Sequence, residues 1–175
     1  MATLRPLGRP EDREYLRDVA LSEHAFDVTV LLEREADAIV DDAAAALERS
    51  HLAHYEEAGT DERRRRVQSL FDVVLTSLRQ RDLVPIHGYA EAVARERFEA
   101  GVSIAELQTA FNVLEEALWQ RVVSATAAGD LADAIGVVAT VLGAGKDSLA
   151  RTYVELATAR HVPSLDLTAL YRGGR

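Results

Sequence analysis

The sequence predicts an all-α fold, a compact bundle of five to six mostly antiparallel helices, from three observations. Apolar residues recur at spacings of three and four, which aligns on one helix face the side chains of Ile104, Leu107, Phe111, Leu114 and Leu118. Asn-Gly and Asp-Gly hairpin turns are missing, as is the sustained period-two alternation of strands. The connections between helical patterns span two to eight residues, which favours antiparallel neighbours.

The N-terminal half carries three helical patterns. A short helix is expected at residues 11–21, and a long helix at 25–50 has an inward face of Val28, Leu32, Ala36, Ile39, Ala43 and Leu47. Gly59 ends the short segment that follows the long helix. Thr60 is placed to cap a third helix that reaches about residue 81. The inward face of this helix is Val67, Leu70, Phe71, Val74 and Leu78.

Three further helices follow. Pro85 suits the first turn of a fourth helix, which runs to residue 100 and stops at Gly101. Ser103 and Glu106 have the spacing of a capping box, which opens a fifth helix ending near residue 128. Asp130 caps a sixth helix that runs to about residue 161. We therefore expect one domain over residues 1–175, with flexible or loosely docked tails at 1–10 and 162–175.

Three glycines interrupt the sixth helix, namely Gly136, Gly143 and Gly145. Each costs roughly 1 kcal/mol relative to alanine inside a helix, so something should compensate. We interpret them as sites of close helix packing. A kink beside a ligand pocket or a dimer contact is the alternative.

The charge balance restricts the classes of partner. The net charge of −9 argues against binding nucleic acid and against an anionic membrane surface, since both require basic faces. No apolar run approaches the ~20 residues of a membrane helix, and the N-terminus lacks a signal-peptide pattern. Cysteine is absent, which fits a reducing compartment. We expect a cytoplasmic protein.

No motif predicts catalysis or a metal site. Phosphate loops, dinucleotide fingerprints and nucleophile elbows are all missing, so we expect no enzyme and no catalytic residue. Glu48 and His51 form a Glu-x-x-His unit, but a di-iron site needs a second copy and two more inward glutamates. We interpret this unit as a polar helix end.

Two further groups of residues have a functional and a structural interpretation. His87 follows an apolar stretch and is the candidate axial ligand if the chain binds haem, although we expect no cofactor. The four arginines from Arg63 to Arg66 spread around a helix and cannot form one basic face. We interpret them as a solvated helix start that is paired with neighbouring acids.

The block from Val93 to Trp119 resembles the N-terminal helical domain of the RsbR-type stressosome co-antagonists, the RsbRD N-terminal family. The matching pattern is a helix with Arg97 near its end, the Gly101 stop, the Ser103-x-x-Glu106-Leu107 helix start and a downstream Leu118-Trp119 pair. The resemblance implies a sensory input module that is helical, sometimes globin-like without haem, and that tends to dimerise. Such domains usually precede an output domain, whereas the sequence up to Arg175 shows no following strand-rich module.

These observations favour a non-enzymatic bacterial regulatory domain, expected to be a homodimer that binds a small ligand or a regulatory protein partner. The fifth and sixth helices are predicted to form the contact between the two copies, and the interface candidates are Leu114, Leu118 and Trp119. A haem- or small-ligand-binding globin-like sensor and a structural adaptor are the two alternatives. A Soret band that is lost in His87→Ala would favour the haem alternative.

Overall fold

A computed structural model describes residues 23–161 of the chain, and this part forms seven α-helices without any strand. The helices are α1 Glu23–Arg34, α2 Ala36–Arg49, α3 Ala53–Ala58, α4 Thr60–Gln80, α5 Val84–Glu99, α6 Ile104–Ala125 and α7 Leu131–His161. The predicted all-α fold is confirmed. The predicted helix at 11–21 and both predicted tails lie outside the described residues.

The prediction of one continuous helix at 25–50 is wrong, because Glu35 interrupts this segment and divides it into α1 and α2. The backbone of Glu35 has φ −99° and ψ 8°, outside the α-helical region. Two backbone hydrogen bonds still cross the bend, from Glu35 N to Leu31 O and from Ile39 N to Glu35 O. The two halves share α4 and α6 as neighbours, but α1 also contacts α7 while α2 also contacts α3.

The core is formed by the inward faces of all the long helices. The most extensive contact joins α5 to α7, followed by the contact of α2 with α6. The largest fully buried side chains include Leu32, Ile39, Leu47, Phe71, Ile86, Leu114, Leu118, Leu142 and Leu149. The predicted inward face of α4 is buried at every position, which confirms the spacing argument for that helix.

The connection between α5 and α6 follows the sequence closely. Gly101 has φ +78°, and its N–H donates to Phe98 O at 3.1 Å while Val102 N–H donates to Arg97 O at 3.0 Å. This pair of bonds is a Schellman motif, in which glycine takes the left-handed position. The hydroxyl of Ser103 then accepts from Glu106 N–H at 3.3 Å and caps α6.

The second hydrogen bond of the predicted capping box, from the backbone N–H of Ser103 to the Glu106 carboxylate, is wrong. The Glu106 carboxylate accepts from the Ser103 hydroxyl at 3.2 Å instead of from its backbone N–H. The same carboxylate lies 3.1 Å from His54 Nδ1, so it is drawn toward α3. The predicted end of this helix near residue 128 is also too late, because α6 ends at Ala125 and Thr126 is extended.

The start of α4 differs from the prediction in two respects. Gly59, at φ +79°, precedes the helix, so Thr60 is its first residue and not its cap. The arginine run is not wholly solvated, because Arg63 is only 6% exposed. Its guanidinium donates to Tyr55 O at 3.0 Å, to Glu48 Oε1 at 2.7 Å and to Thr60 Oγ1 at 3.1 Å. Arg63 therefore joins α2, α3 and α4.

Candidate functional site

The predicted interface residues separate into two environments on α6. Leu114 and Leu118 are fully buried in the core of the chain itself. Trp119, which follows Leu118 directly, is 40% exposed. Adjacent helix residues point about 100° apart, so one side chain enters the core while the next faces outward. The dimer stays a prediction, and among these three residues only Trp119 offers an exposed side chain to a partner.

Trp119 lies in a shallow groove of about 570 Å³ on the outer face of α6. We call this surface the Trp119 groove, and it is lined by Asn112, Glu115, Glu116, Trp119, Gln120, Val123 and Ser124. Val123 is 55% exposed and lies one turn after Trp119, so the two apolar side chains share a face. The exposed surface of the groove is largely apolar.

Two of the charged residues in or beside the Trp119 groove, Glu115 and Arg121, are paired within the chain. Lys146 on α7 forms an ion pair with Glu115, and Arg121 forms one with Asp42 on α2. The two ion pairs lie at the edges of the groove and connect α6 to α7 on one side and to α2 on the other. Among the described residues that line the groove, Glu116 is then the one carboxylate without a cationic partner.

His87, the candidate haem ligand, is buried between α5 and α7. The residue is 6% exposed, and its Nδ1 lies 2.5 Å from the hydroxyl of Ser148. One ring nitrogen of His87 therefore has a hydrogen-bond partner, the Ser148 side chain on the neighbouring helix α7. Haem binding stays a prediction that a Soret band would test.

The Glu-x-x-His unit of Glu48 and His51 does not converge on one point. Glu48 pairs with Arg63, while His51 Nδ1 lies 3.0 Å from Glu56 Oε1. Within residues 23–161 no group of three or more His, Cys, Asp or Glu side chains could hold a metal ion. The same residues include no helix with the length and apolarity needed to cross a membrane.

Gly145 is a site of close packing, as interpreted from the sequence. A β-carbon at this position would lie 2.8 Å from Cε1 of Phe111 and 2.9 Å from Cγ1 of Ile86. Gly143 differs, since a β-carbon there would meet no atom within 4 Å. Only the first of these two glycines is required by packing.

The sequence reasoning did not single out Val123, Asn112 or Gln120 as part of a surface. A signal was present, because Asn112, Glu116, Trp119 and Val123 recur at helical spacing on a face that the buried stripe leaves free. A helix face that is exposed to solvent is usually polar, so the apolar residues Trp119 and Val123 on that second face indicate a contact surface.

Comparison with known proteins gives one family. No curated protein matches the chain significantly. The model of the RsbT co-antagonist protein rsbRD N-terminal domain matches residues 33–163, about three quarters of the sequence. The match includes α2 to α7 and therefore the whole Trp119 groove. The chain belongs to the family of RsbT co-antagonist rsbRD N-terminal domains, a family of stressosome-related signalling input domains.

Proposed function

We propose that this chain is a non-enzymatic signalling input domain of a stress-response pathway that works as a homodimer joined through the Trp119 groove. The family supports the signalling role. The dimer is our inference from the surface of α6. A signal would act by changing the contact between the two copies, since a ligand shifts an equilibrium only through different affinities for its two states.

The observation that carries the proposal is an exposed tryptophan in a groove whose exposed surface is largely apolar. Trp119 is 40% exposed and Val123 is 55% exposed, one turn apart. Tryptophan is enriched among the residues that dominate interface energies, because it buries a large apolar area when it enters a contact. Covering these two side chains would remove apolar surface from water and favour association.

Charge favours a second copy of the chain as the occupant. At a net charge of −9, two copies repel each other over most of their surfaces. A two-fold contact brings the same patch of both copies together, so a charged patch would meet its own sign. The Trp119 groove reduces this repulsion, because Lys146 neutralises Glu115 within each copy and Arg121 neutralises Asp42 beside the groove, which leaves Glu116 as the carboxylate that the contact must accommodate.

The small size of the groove predicts a weak dimer. Stable interfaces bury about 800 Å² on each partner, which is more than one helix face with two exposed apolar side chains provides. We therefore expect a dissociation constant in the micromolar range, so that the fraction of dimer depends on concentration.

The experiment is sedimentation velocity over a concentration series, with tryptophan fluorescence on the same samples. Trp119 is the single tryptophan of the chain, so its emission reports directly on the proposed contact. We expect the emission maximum to move to shorter wavelength as the dimer forms. Trp119→Ala should weaken association at least tenfold, which corresponds to about 1.4 kcal/mol.

The matched control is Val154→Ala, which removes an exposed apolar side chain from α7 outside the groove. This variant should dimerise like the wild type. A wild type that stays monomeric throughout the series would contradict the proposal. So would a Trp119→Ala variant that associates as tightly as the wild type, because the dimer would then use another surface.

A further inference from the structure

A small cavity of about 40 Å³ lies between α3, α4, α5 and α6, away from the Trp119 groove. Four polar side chains line it, two arginines and two tyrosines, and the rest of the lining is aliphatic or aromatic. The polar residues are Tyr55, Arg66, Tyr89 and Arg97. A few convergent polar groups in a mostly apolar lining are what fixes the orientation of ligands in binding pockets, and here they surround a cavity far smaller than the ~300–1,000 Å³ of a drug-sized site.

Arg97 reaches the cavity from α5 and keeps most of its donors. Tyr89, Val93 and Arg97 follow each other at intervals of four residues, so they lie along one face of α5. The Arg97 side chain is only 20% exposed. Among the described residues its one ion-pair partner is its neighbour Glu96, at 3.3 Å, whose own side chain is 67% exposed. A guanidinium has five N–H donors, so this contact leaves several of them available.

Arg66 approaches from α4 and is fixed in place by two contacts. Its Nε donates to Glu62 Oε1 at 2.8 Å, and its guanidinium carbon lies 5.6 Å from the ring centroid of Tyr55. The side chain is 23% exposed. In the described part of the chain neither terminal nitrogen of this guanidinium has a hydrogen-bond acceptor. The Arg66 guanidinium is therefore held in position with its two outer nitrogens available.

The two tyrosines add neutral donors. Burial raises the pKa of Tyr89 to about 12 and also raises the pKa of Tyr55, so both hydroxyls keep their protons at neutral pH. Within residues 23–161 neither hydroxyl makes a hydrogen bond. Each can donate to an acceptor in the cavity.

The carboxylates nearest to the cavity already have partners. Glu62 accepts from both Arg65 and Arg66, while Glu106 accepts from Ser103 and lies 3.1 Å from His54 Nδ1. These contacts reduce the repulsion that an incoming anion would meet. They leave Arg97 as the cation with the weakest partner.

We propose that this cavity binds a small oxyanion, a carboxylate or a phosphate, held by the guanidinium groups of Arg66 and Arg97 and by the Tyr89 hydroxyl. Guanidinium groups recognise both classes by paired N–H···O bonds. One water needs about 10–15 Å³, so a cavity of 40 Å³ admits about three water-sized groups. That size admits up to three atoms of one carboxylate or phosphate group, with the rest of the ion or of a larger molecule in the opening of the cavity.

The experiment is isothermal titration calorimetry of the full chain with sodium acetate and, separately, with sodium phosphate. We expect one saturable site per chain for at least one of the two probes, and the tighter probe identifies the class of anion. Arg97→Gln should weaken that binding at least tenfold. Tyr89→Phe, which removes one neutral donor, should weaken it several-fold.

The matched control is Arg95→Gln, which removes the same charge from the same helix. Arg95 is 56% exposed and pairs with Glu91, so binding should stay within twofold of the wild type. Circular dichroism checks that each variant is folded, and if Arg97→Gln fails to fold, Tyr89→Phe decides. Absence of saturable binding for both probes would overturn the proposal. Equal weakening by Arg95→Gln and Arg97→Gln would also overturn it, since the effect would then be general electrostatics.

This site is independent of the proposed dimer. Arg97 lies outside the Trp119 groove, so Arg97→Gln should leave the sedimentation behaviour unchanged while it lowers anion affinity. Failure of one proposal can therefore be told apart from failure of the other.

Discussion

Two buried contacts of this molecule depend on opposite kinds of residue. One is the contact between α5 and α7, and the other is the corner between α3 and α4. At the first, Gly145 brings α7 so close that no side chain fits beside Phe111 and Ile86. At the second, Arg63 reaches from α4 and donates to the carbonyl of Tyr55. One contact depends on a missing side chain, and the other depends on a long charged one. Periodicity of apolar residues identifies neither of them.

The largest expected effect concerns the contact between α5 and α7. Gly145→Val should lower the free energy of unfolding by about 2–3 kcal/mol, because its side chain would overlap Phe111 and Ile86. Gly143→Val is the matched control, since that position faces open space and should change stability by less than ~0.5 kcal/mol. Urea unfolding measures both. Similar values for the two variants would show that α7 does not approach α5 closely at Gly145.

A smaller effect is expected at the corner between α3 and α4. Arg63→Met keeps the length of the side chain but removes every donor, which leaves the buried carbonyl of Tyr55 without its bond. We expect a loss of about 1.5–3 kcal/mol, typical of hydrogen bonds to charged groups. Arg65→Met is the control, because Arg65 is 76% exposed and surface ion pairs contribute about 0–1 kcal/mol. Equal losses in chemical denaturation would contradict a structural role for Arg63.

The third effect is absent at neutral pH and appears only in alkaline solution, through Tyr89 on the side of α5 that faces this corner. Its folded pKa of about 12 lies above the ordinary value of 10.0, so folding favours the protonated hydroxyl. Its contribution to stability is complete below pH 10.0 and is lost as the pH rises toward about 12, where only the unfolded chain releases the proton. Tyr89→Phe should therefore lose less stability than the wild type over this interval. Thermal melts at several pH values measure the difference, and identical slopes would refute it.

Much of the fold could be predicted because its signals are local. The stripe from Leu107 to Leu118 sets one helix face, and the glycine at 101 with the serine at 103 marks a stop and a start by backbone geometry alone. The bend at Glu35 has no such signal. It lies where the neighbours of the predicted helix change, since α1 also contacts α7 and α2 also contacts α3, and the segment itself does not contain that information.

The candidate sites were less predictable for the same physical reason. Trp119 could be assigned to a core or to an interface from the sequence, and only the packing around α6 leaves it exposed. Arg63 to Arg66 are identical residues, yet one is buried and the others are not, since the position of α3 decides which arginine is covered. Arg97 and Tyr89 are distant in sequence from Arg66 and Tyr55, so their convergence required the folded chain.

The length of α7 has a consequence for biosynthesis. This helix of 31 residues is the last one described, and it covers the inward faces of α5, α6, α4 and α1. Until it emerges from the ribosome, the parts of those faces that α7 covers stay exposed, although the earlier helices also contact one another. Translation of this segment takes roughly 2–6 s at about 5–20 residues per second. During that interval the nascent chain exposes the part of its future core that α7 covers, and a chaperone that holds apolar segments would find its binding sites there.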